Sequence, residues 1–216
     1  MSARSVVVLG LESRYAFEVL DLLAAAGADV RACLPSAYDS ECAGPFPHFA
    51  PESSSFHDAE FVVPLLTPGR CKLRAEEGVC LGMRPGQPVI HPTSVLSPSA
   101  RIAPGGLIGP GAVIGSNAAC GRFFIANRVA SAGHDCIFGD FCTIGPSSAI
   151  CGACVLEDGV YVGAGAVLLP KVRIGSNAVI GAGAVVTHDV ASRTMVAGNP
   201  AKVIREGIAG YRDIGV

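Results

Sequence analysis

The chain has 216 residues, 50% of them hydrophobic and 16% charged, with a formal net charge of −2 at pH 7. A mean hydropathy of +0.47 indicates a large apolar core, and the length fits one or two domains. The longest apolar runs fall far below the ~20 residues of a spanning helix, and no Lys/Arg cluster marks a nucleic-acid partner.

Residues 5–10, Ser-Val-Val-Val-Leu-Gly, read as a buried strand ending in Gly10, and residues 15–26 as a helix closed by Gly27. Residues 29–33 follow as a second strand, so the chain opens as the βαβ unit of a small Rossmann-like domain. The Pro-, Ser- and Ala-rich stretch 35–55 has little period and predicts a loop. Residues 61–66, Phe-Val-Val-Pro-Leu-Leu, are an apolar run that Pro64 restricts to an edge or irregular strand. Residues 70–77 predict a short helix, and Pro85-Gly-Gln-Pro88 punctuates a boundary.

From Ile90 to Val186 every sixth residue is apolar, seventeen times without a slip. Chance would give such a run in about one frame in a hundred thousand at this composition. The residue after the anchor is often Gly, as at Gly115, Gly133 and Gly163, and a small residue such as Ala112 or Ala178 stands two places before it. Neither a helix nor a flat strand uses a period of six. A short strand followed by a sharp turn does, with the anchor and its small partner facing inward. Three such units make a triangular coil in which residues eighteen apart stack as parallel strands. The prediction is a mainly β protein. A hexapeptide β-helix of five to six coils spans 89–192, roughly 25 Å tall at ~4.8 Å per coil. A small α/β domain at 1–88 precedes it and a tail at 193–216 follows.

Nine cysteines, an odd number, and no leader of basic, apolar and small residues predict free thiols and a cytoplasmic protein. Cys136, Cys142 and Cys154 fall on the small inward phase and should pack as small hydrophobes. Cys151-Gly-Ala-Cys154 lacks a second pair at ligand spacing, so no metal is predicted. His134-Asp135 stands out on a wall that is otherwise aliphatic and Gly-rich. Stacking at eighteen residues puts Ser116 and Gly152 beside His134, both small, which leaves room for a ligand.

Asn127, Gly133-His134-Asp135-Cys136-Ile137-Phe138-Gly139-Asp140-Phe141, residues 180–186 and Gly198-Asn-Pro-Ala-Lys202 together resemble the sialic-acid O-acetyltransferases and nucleotide-amino-sugar N-acetyltransferases. The resemblance covers nearly the whole chain, and the Asn…Gly-His-acid segment is its specific part. It implies a left-handed β-helix, against the usual right-handed crossover, and a homotrimer with acetyl-CoA in the groove between neighbouring prisms. It makes His134 the general base and Asp135 the group that orients the imidazole, chemistry that suits an acceptor losing a proton as it attacks a thioester. By position it places Asn127, Thr143, Ala164, Ala182 and Lys202 against the cofactor, and it gives the N-terminal domain the acceptor, with Gly10, Ser13 and Arg14 at the binding loop.

This chain departs from the family at two places. Thr143 stands where a second His is usual, and a hydroxyl donates a hydrogen bond without carrying charge. The loop Gly10-Leu-Glu-Ser-Arg-Tyr15 keeps one Gly and puts Glu12 where a diphosphate would sit at a helix N-terminus. Two other readings stand beside an acetyltransferase for sugar-type acceptors: a non-catalytic β-helix scaffold, and an acyltransferase for a non-sugar, non-nucleotide acceptor. A γ-class carbonic anhydrase would need three His on zinc, and His134 is the only His between His91 and His188.

Overall fold

The computed structural model describes residues 4–10, 15–34 and 56–216. Apolar β-branched residues make β1 (Arg4–Leu9), which Gly10 ends at φ +92, and α1 (Tyr15–Ala25) closes at Gly27, φ +70, where a residue with a Cβ would be strained. β2 (Ala28–Leu34), β3 (Glu60–Val62), α2 (Pro68–Cys80) and β4 (Arg84–Pro85) follow. The four strands form one parallel sheet in the order β2-β1-β3-β4. β3 therefore lies inside the sheet and not at its edge. It stops at Val62, two residues before Pro64, so the missing N–H of Pro64 never enters the ladder. The loop expected at 35–55 lies outside the described residues.

Residues 89–197 form a parallel β-solenoid of about six turns, built from two-residue strands on three faces. Face I carries strands beginning at residues 89, 107, 125, 143, 161 and 179, face II those at 95, 113, 131, 149, 167 and 185, and face III those at 101, 119, 137, 155 and 173. Residues eighteen apart pair across neighbouring coils, as Ile125 with Thr143 and Ala132 with Ile150. The hexad anchors from Ile108 to Val186 fill the interior together with Ala112, Ala130, Cys136, Cys142 and Cys154, with Leu96 and Ile102 partly buried against them, while the first anchor, Ile90, is exposed at the open end. The three thiols point to carbonyls fifteen residues on, at Cys151, Glu157 and Leu169.

The glycine phase has a different cause from the turn expected at it. From Gly105 to Gly183 the left-handed residue of each corner is the third after the anchor, as at Asn117, Asp135, Ser147 and Gly165, where φ runs from 56° to 65°. Glycine one place after the anchor is there because stacked coils touch. A Cβ at Gly133 would lie 2.7 Å from the Gly152 nitrogen, and one at Gly121 would lie 2.5 Å from the Gly139 carbonyl carbon. The requirement is close backbone approach.

The repeat also runs past 186 and shortens. Val190 bridges Ile174 and Val196 pairs with Ile180, both sixteen residues apart, so the last coil has lost two residues at the corner holding His188 and Asp189. Met195–Ala197 then pairs antiparallel with Lys202–Arg205. The tail returns along the solenoid: Val216 donates its N–H to the Asn177 side chain at 2.7 Å, and Tyr211 stacks on Tyr161 at 3.7 Å.

The N-terminal unit sits on face I. Val19, Leu22 and Leu23 of α1 pack with Val89, Leu107 and Ile125, and Phe61 of β3 stacks on Phe123, which stacks on Phe141.

Candidate active site

His134 and Asp135 occupy the corner between faces II and III, where the turn forces side chains outward. His134 Nδ1 lies 2.7 Å from Asp135 Oδ2, and Asn117, one coil below, donates its side-chain N–H to Asp135 Oδ1 at 3.1 Å. Those two hydrogen bonds hold the Asp135 carboxyl below its usual range, that from His134 first. Both side chains remain open, His134 at 69% and Asp135 at 52% exposure.

The imidazole lies against Gly152 of the next coil, where a Cβ would overlap its Nε2 edge. With Nδ1 on the carboxylate, Nε2 is left to accept a proton. Asn117 is a third member of the set that the linear motif does not contain. Its place eighteen residues before Asp135 is the signal that identifies it.

Asp135 differs from the other corner carboxylates. Asp140 and Asp158 accept backbone N–H groups of Arg122 and Asp140 at 2.7 and 2.8 Å, and Asp189 accepts that of Arg173 at 2.8 Å. These acids cap turns. Asp135 is bonded to an imidazole and an amide instead. His188 stands in the same column as His134, three coils higher, yet it does not repeat the pair: its Nδ1 meets Thr187 Oγ1 at 2.8 Å, while Asp189 fills in for residues missing from the shortened corner. An open cavity of about 540 Å³ lies beside it, bounded by Pro170, Lys171 and Thr187.

The remaining expected residues separate into groups. Ala164 and Ala182 are exposed at the corner between faces I and II, the far side of face II from His134, and no hydrogen bond among the described residues uses their N–H groups. Lys202 is exposed on the terminal hairpin. Asn127 and Thr143 are 4% and 2% exposed. Asn127 accepts the Arg128 N–H at 2.7 Å, and Thr143 lies in face I between Ile125 and Tyr161. Their side chains are covered where the N-terminal unit meets face I, so neither offers a cofactor contact in the single chain. Burial by a second domain leaves no mark on a hexad. Gly10 ends β1, and Ser13 and Arg14 lie outside the described residues. No cluster of His, Cys, Asp and Glu able to hold a metal occurs among the described residues, and no helix of theirs is long and apolar enough to cross a membrane.

Residues 153–188 match the bacterial transferase hexapeptide repeat. A 52-residue segment is 54% identical to a 2,3,4,5-tetrahydropyridine-2,6-dicarboxylate N-acetyltransferase of Staphylococcus aureus, covering 24% of this chain and 22% of the relative. The chain thus matches about a fifth of that relative's length. Solved structures extend the likeness over nearly the whole chain. PerB of Caulobacter crescentus, in complex with CoA and GDP-perosamine, is 28% identical with a TM-score of 0.84, over 93% of this chain and 97% of that one. The acetyltransferase domain of PglB from Neisseria gonorrhoeae, in complex with acetyl coenzyme A, is 26% identical with a TM-score of 0.80, over 94% and 100%.

Proposed function

We propose that this hexapeptide-repeat protein is an acetyl-CoA-dependent acetyltransferase for a sugar-type small molecule. His134 is its general base, and the left-handed prism works as a homotrimer. The observation that carries the reading is the His134–Asp135–Asn117 set, with Nε2 free over bare Gly152. The likeness to the perosamine N-acetyltransferase of Caulobacter crescentus supports an amine as the acylated group.

His134 Nε2 takes the proton of the acceptor amine as the nitrogen attacks, and Asp135 fixes the imidazole with Nδ1 protonated and stabilises the imidazolium that results. The same imidazolium returns the proton to the departing thiolate. Acetyl-CoA supplies the activated acyl group. The wall suits it: Ala164 and Ala182 present bare surface and unused N–H donors to a pantetheine arm. In one chain these alanines and His134 stand at opposite edges of face II. A groove holding both needs the His134 corner of one prism against the alanine corner of its neighbour, and the trimer supplies it. Lys202 and, at the top of the His134 edge, Lys171 offer cations to the phosphates.

The unit of residues 1–88 acts as a Rossmann-like acceptor domain, with Gly10, Ser13 and Arg14 as its acceptor contacts. The test is release of free CoA thiol from acetyl-CoA over a panel of amino sugars, free and nucleotide-linked. Turnover by the wild type and a 10²- to 10⁴-fold lower kcat for His134→Ala, with acetyl-CoA binding retained, is the expected result. Failure of the wild type to bind acetyl-CoA, or full activity of His134→Ala, would refute the reading.

A further inference from the structure

The seam between the N-terminal unit, face I and the returning tail encloses a cavity of about 140 Å³. At roughly 30 Å³ per water it has room for a phosphate or carboxylate group. Its polar lining is Thr67, Arg70, Tyr161, Tyr211 and Arg212. Every one of these side chains donates a hydrogen bond, and none is acidic.

Three features point to a ligand. Thr67 is 93% buried by its 7% exposure, precedes α2 at the N-cap position, and makes no capping hydrogen bond with its side chain. Lining the cavity, its hydroxyl is free to donate to an acceptor bound there. Arg70 and Arg212 are exposed and, like Arg101, Arg173 and Arg193, have no carboxylate partner among the described residues. Arg212 lies over the Tyr211 ring at 5.6 Å, at a left-handed residue with φ +59. The seam is also built to stay closed. Gly69 meets Ile214 and Gly215 so tightly that a Cβ there would strike both, and the Tyr161–Tyr211 stack fixes the floor.

We infer that this cavity binds an oxyanion, the phosphate or carboxylate group of a small molecule, through Arg70, Arg212 and the Thr67 hydroxyl. Two guanidinium groups converging on one site are the donor set that planar or tetrahedral oxyanions recruit. The cavity lies just past the carboxyl end of β3, at the rim where parallel sheets hold ligands. If the proposed function holds, and only then, the group belongs to the acceptor.

Isothermal titration of the wild-type protein with inorganic phosphate and, separately, with malonate tests the site without acetyl-CoA. Saturable binding of at least one is expected, and the stronger of the two identifies the source. Arg70→Gln, which leaves the tail untouched, and Arg70→Gln with Arg212→Gln should weaken it by at least tenfold while the thermal midpoint stays within a few degrees. Thr67→Val should weaken it less. No binding of either anion by the wild type, or equal binding by the double variant, overturns the inference. Acetyl-CoA binding measured on the same samples reports on the proposed function separately.

Discussion

Each group at the His134 corner owes its chemistry to a neighbour eighteen residues away. Asn117 and His134 together keep Asp135 ionised, and Gly152 gives the imidazole its place. Gly152→Ala adds one methyl at a residue whose backbone needs no positive φ, so the protein should fold while the ring is displaced. A fall in kcat of at least tenfold, with acetyl-CoA affinity unchanged, is the expected outcome in steady-state kinetics. Asp135→Asn removes the carboxylate that orients the imidazole and stabilises the imidazolium formed as the acceptor attacks, so kcat should fall, by less than for His134→Ala, with acetyl-CoA affinity unchanged in steady-state kinetics. Thr143→Val, buried and nearly isosteric, should leave turnover close to wild type.

Within the coils, glycine serves two purposes that substitution separates. Gly121→Ala forces a methyl against the Gly139 carbonyl at 2.5 Å and should destabilise the solenoid. Gly165→Ala has open space and suffers only the strain of a left-handed residue, about 1–2 kcal/mol. Chemical denaturation should therefore give a larger loss for Gly121→Ala, and equal losses would count against close coil contact. The period of six made the strands, their register and the inward cysteines legible, because each hexad repeats one local geometry. The cause of the glycine phase was misplaced, since two requirements, left-handed φ and close approach, favour the same residue at different positions. Pro64 pointed to an edge or irregular strand, but β3 ends at Val62, ahead of the proline, and so lies inside the sheet. His134 and Asp135 were legible as ionisable groups on an apolar wall. Burial of Asn127 and Thr143 was not, because docking of the N-terminal unit on face I is set by Val89, Leu107 and Ile125, residues that look like any other strand position.

At the scale of the whole molecule, the catalytic corner and the bare alanine corner of one chain face apart, so the account stands or falls on a site shared between chains. Two variants divide that site: His134→Ala removes the base, and Ala182→Trp fills the opposing wall. Each alone should form trimers with little activity. Co-refolded or co-expressed in equal amounts, they form mixed rings in which a chain with intact His134 meets a neighbour with intact Ala182. In a cyclic trimer about a quarter of all sites are then whole. Recovery of about a quarter of wild-type acetyl transfer in the whole mixture, and about a third in isolated mixed trimers, is the predicted result. No recovery in those trimers, or a wild-type protein that is active as a 21.9 kDa monomer, would contradict the shared site.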